Sequence, residues 1–186
     1  MGLRIIGGDL KGKKLHSLSG TTIRPTADRM REAIFNILSF RVQKAIVLDL
    51  FAGTGALGIE ALSRGAESAV FIDTNKKVLS LIERNIRSCK LGDRAKIIKW
   101  NINKNLNCIK SADPPFDLVF IDPPYNKHFI KPSLSYLYRS TVLAKDAFII
   151  VEHDPAEQVP EDNPAFKIAD QRKYGKTLVS FLNYVV

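Results

Sequence analysis

The chain has 186 residues, 45% of them hydrophobic, enough to bury the core of one domain and to exclude a disordered polymer or a repeat array. Its formal net charge of +9 points to a polyanionic partner, most economically nucleic acid. No apolar run approaches the roughly 20 residues that cross a bilayer, and MGLRIIGGDLKG lacks the apolar core of a signal peptide, so a cytoplasmic protein without membrane contact is expected.

The charge is polarised along the chain. Arg4, Lys11, Lys13, Lys14, Arg24, Arg29 and Arg31 crowd the first 31 residues, against Asp9 and Asp28. The stretch 152–162 is acidic instead, with Glu152, Asp154, Glu157, Glu161 and Asp162. RIIGG and KKLHSL flank DLKG, the pattern of a short hairpin with a basic turn. TTIRPTADRMREAIFNIL then predicts an amphipathic helix with Thr26 as N-cap, Asp28 in the first turn, and Met30, Ala33, Ile34, Ile37 and Leu38 on one face. Arg29, Arg31 and Glu32 lie off that stripe. Residues 1–40 are thus expected to be an N-terminal hairpin-and-helix extension and 41–186 the main domain.

From residue 45 strands and helices alternate. AIVLDLF, SAVFID, AKIIKW, LVFID and AFIIVEH read as strands; ALGIEALSRG, NKKVLSLIERNIRSCKLG and LSYLYRSTVL read as helices. Strands that are apolar throughout predict an α/β fold with a mostly parallel sheet covered on both faces. FKIADQRKYGKTLVSFLNYV adds two antiparallel strands joined at KYGK, for seven in all, after the proline-rich loop DPAEQVPEDNP. Cys89 and Cys108 have no metal-type spacing, so free thiols and no metal are expected.

Gly53, Gly55 and Gly58 form G-x-G-x-x-G between a strand and a helix, where glycine allows a tight turn and close ligand approach to backbone N–H groups. Asp73 ends the next strand, placed to accept hydrogen bonds from a ribose. Dinucleotide and adenosyl ligands both use such a loop. Asp49, just before it, would face a pyrophosphate badly but suits an ammonium, which S-adenosylmethionine carries together with a sulfonium and no phosphate. The same carboxylate could also hydrogen-bond the glycine loop, and the two roles are compatible.

Asp-Pro-Pro-aromatic occurs twice, at Asp113–Phe116 and Asp122–Tyr125. In a doubly wound sheet ligands bind outside the carboxyl ends of the strands where strand four returns beside strand one. Only Asp122–Tyr125 lies there; Asp113–Phe116 precedes the strand, roughly 16 Å away at ~3.3 Å per residue, and reads as a turn. An aromatic exocyclic amine is a poor nucleophile because its lone pair is delocalised. Acceptors on its hydrogens favour the pyramidal transition state, and Asp122 and the Pro123 carbonyl can supply them. Proline φ restriction holds these acceptors in place, and Tyr125 can stack on a base lifted from its helix.

The pair VLDLFAGTGALGIEALSRGA and IDPPY resembles class I S-adenosylmethionine methyltransferases acting on exocyclic amines. RIIGGDLKGKKL followed by IRPTADRMREAIFNIL resembles the N-terminal signature of the RsmD family, bacterial 16S rRNA guanine-N2 methyltransferases. That resemblance implies a Rossmann-like class I fold and methyl transfer from S-adenosylmethionine to N2 of a guanine in 16S rRNA. The guanine is position 966 in the family's usual rRNA numbering. The implied substrate is the small ribosomal subunit or its precursor, and the protein is expected to act as a monomer. By position, Asp49, Gly53 and Gly55 would line the methionine part of the cofactor, Asp73 the ribose, and Asn101 with Ile102 the adenine edge. Asp122 would adjoin cofactor and guanine; Pro123, Pro124 and Tyr125 would hold the guanine. Arg4, Lys11, Lys13, Lys14, Arg24, Arg29 and Arg31 would contact RNA, unless Arg29 and Arg31 pair instead with Glu32 or other carboxylates. The alternatives are an adenine-N6 or other exocyclic-amine methyltransferase on DNA or RNA, a protein-glutamine methyltransferase, and a non-catalytic ribosome-assembly factor.

Overall fold

The computed structural model describes residues 2–18, 25–160 and 162–186. Five parallel strands, β1 (Ile46–Leu50), β2 (Ser68–Asp73), β3 (Ala95–Lys99), β4 (Phe116–Ile121) and β5 (Leu143–His153), share one sheet with antiparallel β6 (Phe166–Tyr174) and β7 (Thr177–Tyr184). The order β3-β2-β1-β4-β5-β7-β6 puts the switch point between β1 and β4, as a doubly wound chain requires. Helices α1 (Pro25–Leu38), α2 (Ala56–Ser63), α3 (Lys76–Ser88) and α4 (Ile130–Ser140) cover it.

Alternation along each strand divides the core in two. Val47, Phe71, Leu118, Phe120 and Ile150 face Ile34 and Phe35 of α1, Ile59 and Leu62 of α2, and Ile82 and Ile86 of α3. Leu48, Ile72, Val119, Ile121 and Ile149 face Ile130, Leu134 and Leu137 of α4. A sheet buried on both faces needs apolar residues at successive positions, which is why IVLDL shows no alternation in sequence.

Two helices differ from expectation. α1 begins at Pro25, where a fixed φ suits the first helical position, so Thr26 lies inside the helix and is not its cap. Its buried stripe is Arg31, Ile34, Phe35 and Leu38, while Ile37 is 37% exposed. α4 spans Ile130–Ser140, starting earlier than LSYLYRSTVL because Pro132 is tolerated in a first turn, and Thr141 ends it at φ 53°. β5 then starts at Leu143, four positions before the expected AFIIVEH.

The N-terminal hairpin forms as expected. Ile5 N donates to Lys13 O at 2.9 Å, Gly12 N to Ile5 O at 2.8 Å and Leu15 N to Leu3 O at 2.8 Å. Leu3, Ile5 and Leu15 join the core beneath α1–α3. The hairpin is fastened to α2 through Glu60, whose carboxylate accepts from Ile6 N (2.8 Å), Gly7 N (2.7 Å) and Arg64 Nε (2.8 Å). Ser63 adds bonds to Leu10 N and Gly7 O.

Candidate active site

After β1 the chain turns through Phe51 at φ 59°, Gly53 at φ 53° and Gly55 at φ 75°, and Gly55 caps α2. Gly58 is needed for a different reason: a Cβ there would sit 2.3 Å from the Phe71 ring, so only glycine lets α2 lie this close to β2. The loop is braced by Asn85, buried on α3, which donates to Thr54 O at 3.0 Å and exchanges bonds with the backbone of His16.

Asp49 is 1% exposed and accepts one hydrogen bond, from Gly58 N at 3.0 Å. Burial pushes its carboxyl up to about 8, against which that one bond acts in the opposite direction. Asp73 accepts from Gly53 N at 3.3 Å and Asn75 N at 2.9 Å, so the end of β2 fixes both the glycine loop and the start of α3. Asn101 is exposed with its Oδ1 bound by Asn103 N at 3.1 Å, and Ile102 is buried.

Across the switch point, Asp122 follows the last residue of β4. Its carboxyl is held well above the ordinary carboxylate range, first by burial and then by the charges of Glu152 and Asp49. No hydrogen-bond donor among the described residues reaches it. The Tyr125 hydroxyl donates to Glu152 Oε1 at 2.9 Å and stands 2.9 Å from Thr177 Oγ1, so the ring is anchored to β5 and to the start of β7. Glu157 fixes the next residue by accepting from Asn126 N at 2.9 Å.

These elements enclose one cavity of about 440 Å³. It brings together Gly53, Asp73, Asn101, Ile102, Asp122, Pro123, Pro124 and Tyr125, all singled out in the sequence. Asp49 lies under the loop and Gly55 behind it at the head of α2, so neither forms the wall. Phe51, Thr74, Asn103 and Phe129 also line it and carry no signal in the sequence. Phe51 and Phe129 stack with centroids 5.8 Å apart and planes 7° from parallel, a flat apolar wall that no sequence motif announces.

The donor set fits S-adenosylmethionine. Asp49, Asp73 and Asp122 have no cationic partner among the described residues, and a ligand bringing an ammonium and a sulfonium would supply one. A pyrophosphate would add negative charge to the same place. No group of His, Cys, Asp and Glu among the described residues is arranged to hold a metal ion. Cys89 is buried and Cys108 half-buried, both as free thiols.

Asp113 and Pro114, joined by a cis peptide bond, lie exposed before β4, and Phe116 is its first residue, 1% exposed. This motif stands at the other end of the strand from the cavity.

The basic residues of the first segment separate into distinct groups. Lys11, Lys13, Lys14 and Arg29 are exposed, and none forms an ion pair with a described residue. Arg4 is also exposed and approaches Asp28 at 3.4 Å. Arg31 is 6% exposed, donating to Arg4 O and Asp28 and lying 3.6 Å from Glu60. It belongs to the hairpin's anchorage, closed to solvent and paired with carboxylates, which corrects its expected place among the RNA-contacting residues. Arg24 lies outside the described residues.

A glycine loop with a buried carboxylate beneath it, facing an Asp-Pro-Pro-Tyr turn across the switch point of this sheet, belongs to the class I methyltransferases. Solved structures agree. "Putative methyltransferase yhhF" from Escherichia coli superposes with a TM-score of 0.86 at 32% identity, covering 98% of each chain. The family model described as conserved hypothetical protein 95 matches residues 3–183, and the chain belongs to that family, the RsmD family. It is 34% identical over 178 residues to "Putative rRNA methyltransferase YlbH" of Bacillus subtilis, covering 96% of this chain and 97% of the relative. It is 35% identical over 158 residues to "Ribosomal RNA small subunit methyltransferase D" of Escherichia coli strain K12, covering 85% of this chain and 78% of the relative.

Proposed function

We propose that the protein transfers a methyl group from S-adenosylmethionine to the exocyclic N2 of a guanine in small-subunit rRNA, guanine 966 in the family's usual numbering. The observation that carries this reading is the single cavity in which the Asp122–Tyr125 turn faces the glycine loop. S-adenosylmethionine supplies the activated methyl group. Asp49 holds its amino-acid end from beneath the glycine loop, Asp73 accepts from its ribose, and Asn101 and Ile102 border its adenine.

On the substrate side Tyr125, with its hydroxyl tied down, presents its ring as a stacking surface for the extruded base. Asp122 and the Pro123 carbonyl accept from the target amine, localising its lone pair for in-line attack. The methylated nitrogen carries a proton of low pKa that leaves readily, so Asp122 need not be a strong base. Positioning does most of the work.

Arg4, Lys11, Lys13, Lys14 and Arg29 form the RNA surface, on the hairpin and α1. The hairpin and α1 pack on the sheet face toward which Asp49 is directed. Their charge favours rRNA over a protein glutamine as substrate, and the protein acts as a cytoplasmic monomer. Incubating unmethylated small subunits with labelled S-adenosylmethionine and identifying the methylated nucleoside tests the reaction; a product other than N2-methylguanosine rejects it. Replacing Lys11, Lys13 and Lys14 together should weaken RNA binding and reduce its salt slope by about 0.7 for each single-strand phosphate that is no longer neutralised. An unchanged slope would move the RNA surface elsewhere.

A further inference from the structure

Strand alternation places a second carboxylate beside Asp122. Val47, Leu118, Phe120, Phe148 and Ile150 share one face of the sheet, and continuing the same alternation puts Asp49, Asp122 and Glu152 on that face too. β4 and β5 are in register through Ile121↔Val151, so Asp122 and Glu152 stand next to one another at adjacent strand ends, with strands ~4.8 Å apart. From Ala147 to His153 every residue of β5 is buried except Glu152, which is partly open. Its Oε1 accepts from the Tyr125 hydroxyl at 2.9 Å, and Tyr125 is the ring at the cavity wall. No cation among the described residues pairs with it.

A guanine whose N2 is methylated presents two neighbouring donors on one edge, N2–H and N1–H. Adenine presents an amine beside a lone pair at N1, and cytosine an amine beside a lone pair at N3. A second anionic acceptor next to Asp122 therefore matches guanine and opposes the others, because a carboxylate facing a ring lone pair is repelled as well as unbonded.

Resting on the guanine-N2 reading above, we propose that Glu152 accepts the N1–H of the target guanine while Asp122 and the Pro123 carbonyl accept its N2 hydrogens. Glu152 is then the residue that makes the site a guanine site. Its bond to Tyr125 holds the carboxylate toward the stacked base and leaves its second oxygen for N1–H. The burial that holds the Glu152 carboxyl above its ordinary range belongs with such a role, since the ligand donor replaces the lost water.

The test compares guanine with 2-aminopurine at the methylated position of reconstituted subunits. 2-Aminopurine keeps the N2 amine, replaces N1–H by a lone pair and carries hydrogen in place of O6. This second change is the same for wild type and variants, so the effect of Glu152 is read from the change in preference between them. The wild type should prefer guanine by roughly ten- to hundredfold in kcat/KM, the value of one hydrogen bond to a charged group. Glu152→Gln can both accept and donate, so the preference should fall by roughly that same ten- to hundredfold. Glu152→Asp, with the charge withdrawn by a methylene, should reduce it as well and serves if the amide variant does not fold. Tyr125→Phe removes the Glu152 bond without removing its charge, and should slow both bases while keeping most of the preference. A preference retained in both Glu152 variants overturns the assignment, as does an equal loss in Tyr125→Phe, which would make Glu152 only a support for the ring. Guanine methylation with an unchanged preference leaves the proposed function standing; methylation of another base by the wild type overturns both.

Discussion

Glu60 and Asp49 are closed to water and Asp122 and Glu152 are half-buried, yet the surroundings of Glu60 differ from those of the other three. Glu60 is 0% exposed, with two backbone N–H groups and the guanidinium groups of Arg31 and Arg64 around it. Among the described residues Asp49 has one N–H, Asp122 has no donor, and Glu152 has one hydroxyl. Removing a carboxylate from water costs several kcal/mol unless partners replace the lost hydration. At Glu60 the fold provides those partners, and the result is a fastening. At the strand ends it does not, and the carboxyls of Asp49, Asp122 and Glu152 are all displaced upward. Carboxylates with no cationic partner among the described residues are kept for a ligand, here one bringing a cation and one bringing N–H donors.

The contrast is sharpest at Asp122. Asp122→Ala should reduce kcat by at least about 10²–10³, the scale for removing one preorganised hydrogen-bonding group from a transition state. Cofactor affinity by calorimetry should stay within a few-fold, and the fold should be no less stable, because the residue satisfies nothing in the protein. Turnover near wild type would show that the unpaired carboxylate is not used.

Glu60→Ala should do the reverse. It strands two guanidinium groups and two backbone donors, and breaking a buried pair costs about 3–5 kcal/mol. At ~2–4 °C per kcal/mol for a chain of this size, Tm should drop by roughly 10 °C. A loss below about 1 kcal/mol in denaturant unfolding would mean that Glu60 is no more settled than the strand-end groups.

Asp49→Asn separates the two kinds of carboxylate by pH. With its folded value raised from 3.8 to about 8, the native ligand-free protein binds the proton more tightly than the unfolded chain. Stability therefore falls as pH rises through that window, by up to about 1.4 kcal/mol per unit, and levels off above it. A cationic ligand needs the ionised form, so binding below pH 8 releases a proton and should tighten by up to about tenfold per unit toward pH 8. Asp122 is displaced the same way and adds with the same sign. Asp49→Asn keeps an acceptor for Gly58 N, weakens binding, flattens much of this slope and stabilises the ligand-free protein near pH 8. A slope unchanged in the variant would remove Asp49 as the ammonium's partner.

Much of this is legible in the sequence because it depends on chain order and period. The run VLDLFAGTGALG places a strand, a glycine turn and a helix, and the return to LVFID places Asp122 beside it. What cannot be read there comes from pairing between distant segments. Arg31 looks like a surface charge until Glu60 of α2 is folded against it; only then does the stripe Arg31, Ile34, Phe35 and Leu38 become the buried one. Phe51 and Phe129 are ordinary aromatics until a positive φ at Phe51 turns its ring onto a residue far along the chain. Glu152 is in sequence only part of an acidic stretch, yet its neighbours across the sheet, and the strand alternation that aligns it with Asp122, give it a different meaning.

The smallest expected effect belongs to the other Asp-Pro-Pro motif. Asp113 has the same flanking prolines as Asp122 but is exposed, at the amino end of β4, with nothing bound to its carboxylate among the described residues. An exposed carboxylate is already hydrated, so truncating it removes no buried partner and no site geometry. Asp113→Ala should change kcat/KM less than twofold and unfolding free energy by less than about 0.5 kcal/mol. Identical chemistry at the two ends of one strand is thereby divided by position alone: the carboxyl end faces the glycine loop across the switch point, and the amino end faces water. A loss at Asp113 comparable to that at Asp122 would mean that the motif itself, and not its place at the switch point, carries the reaction.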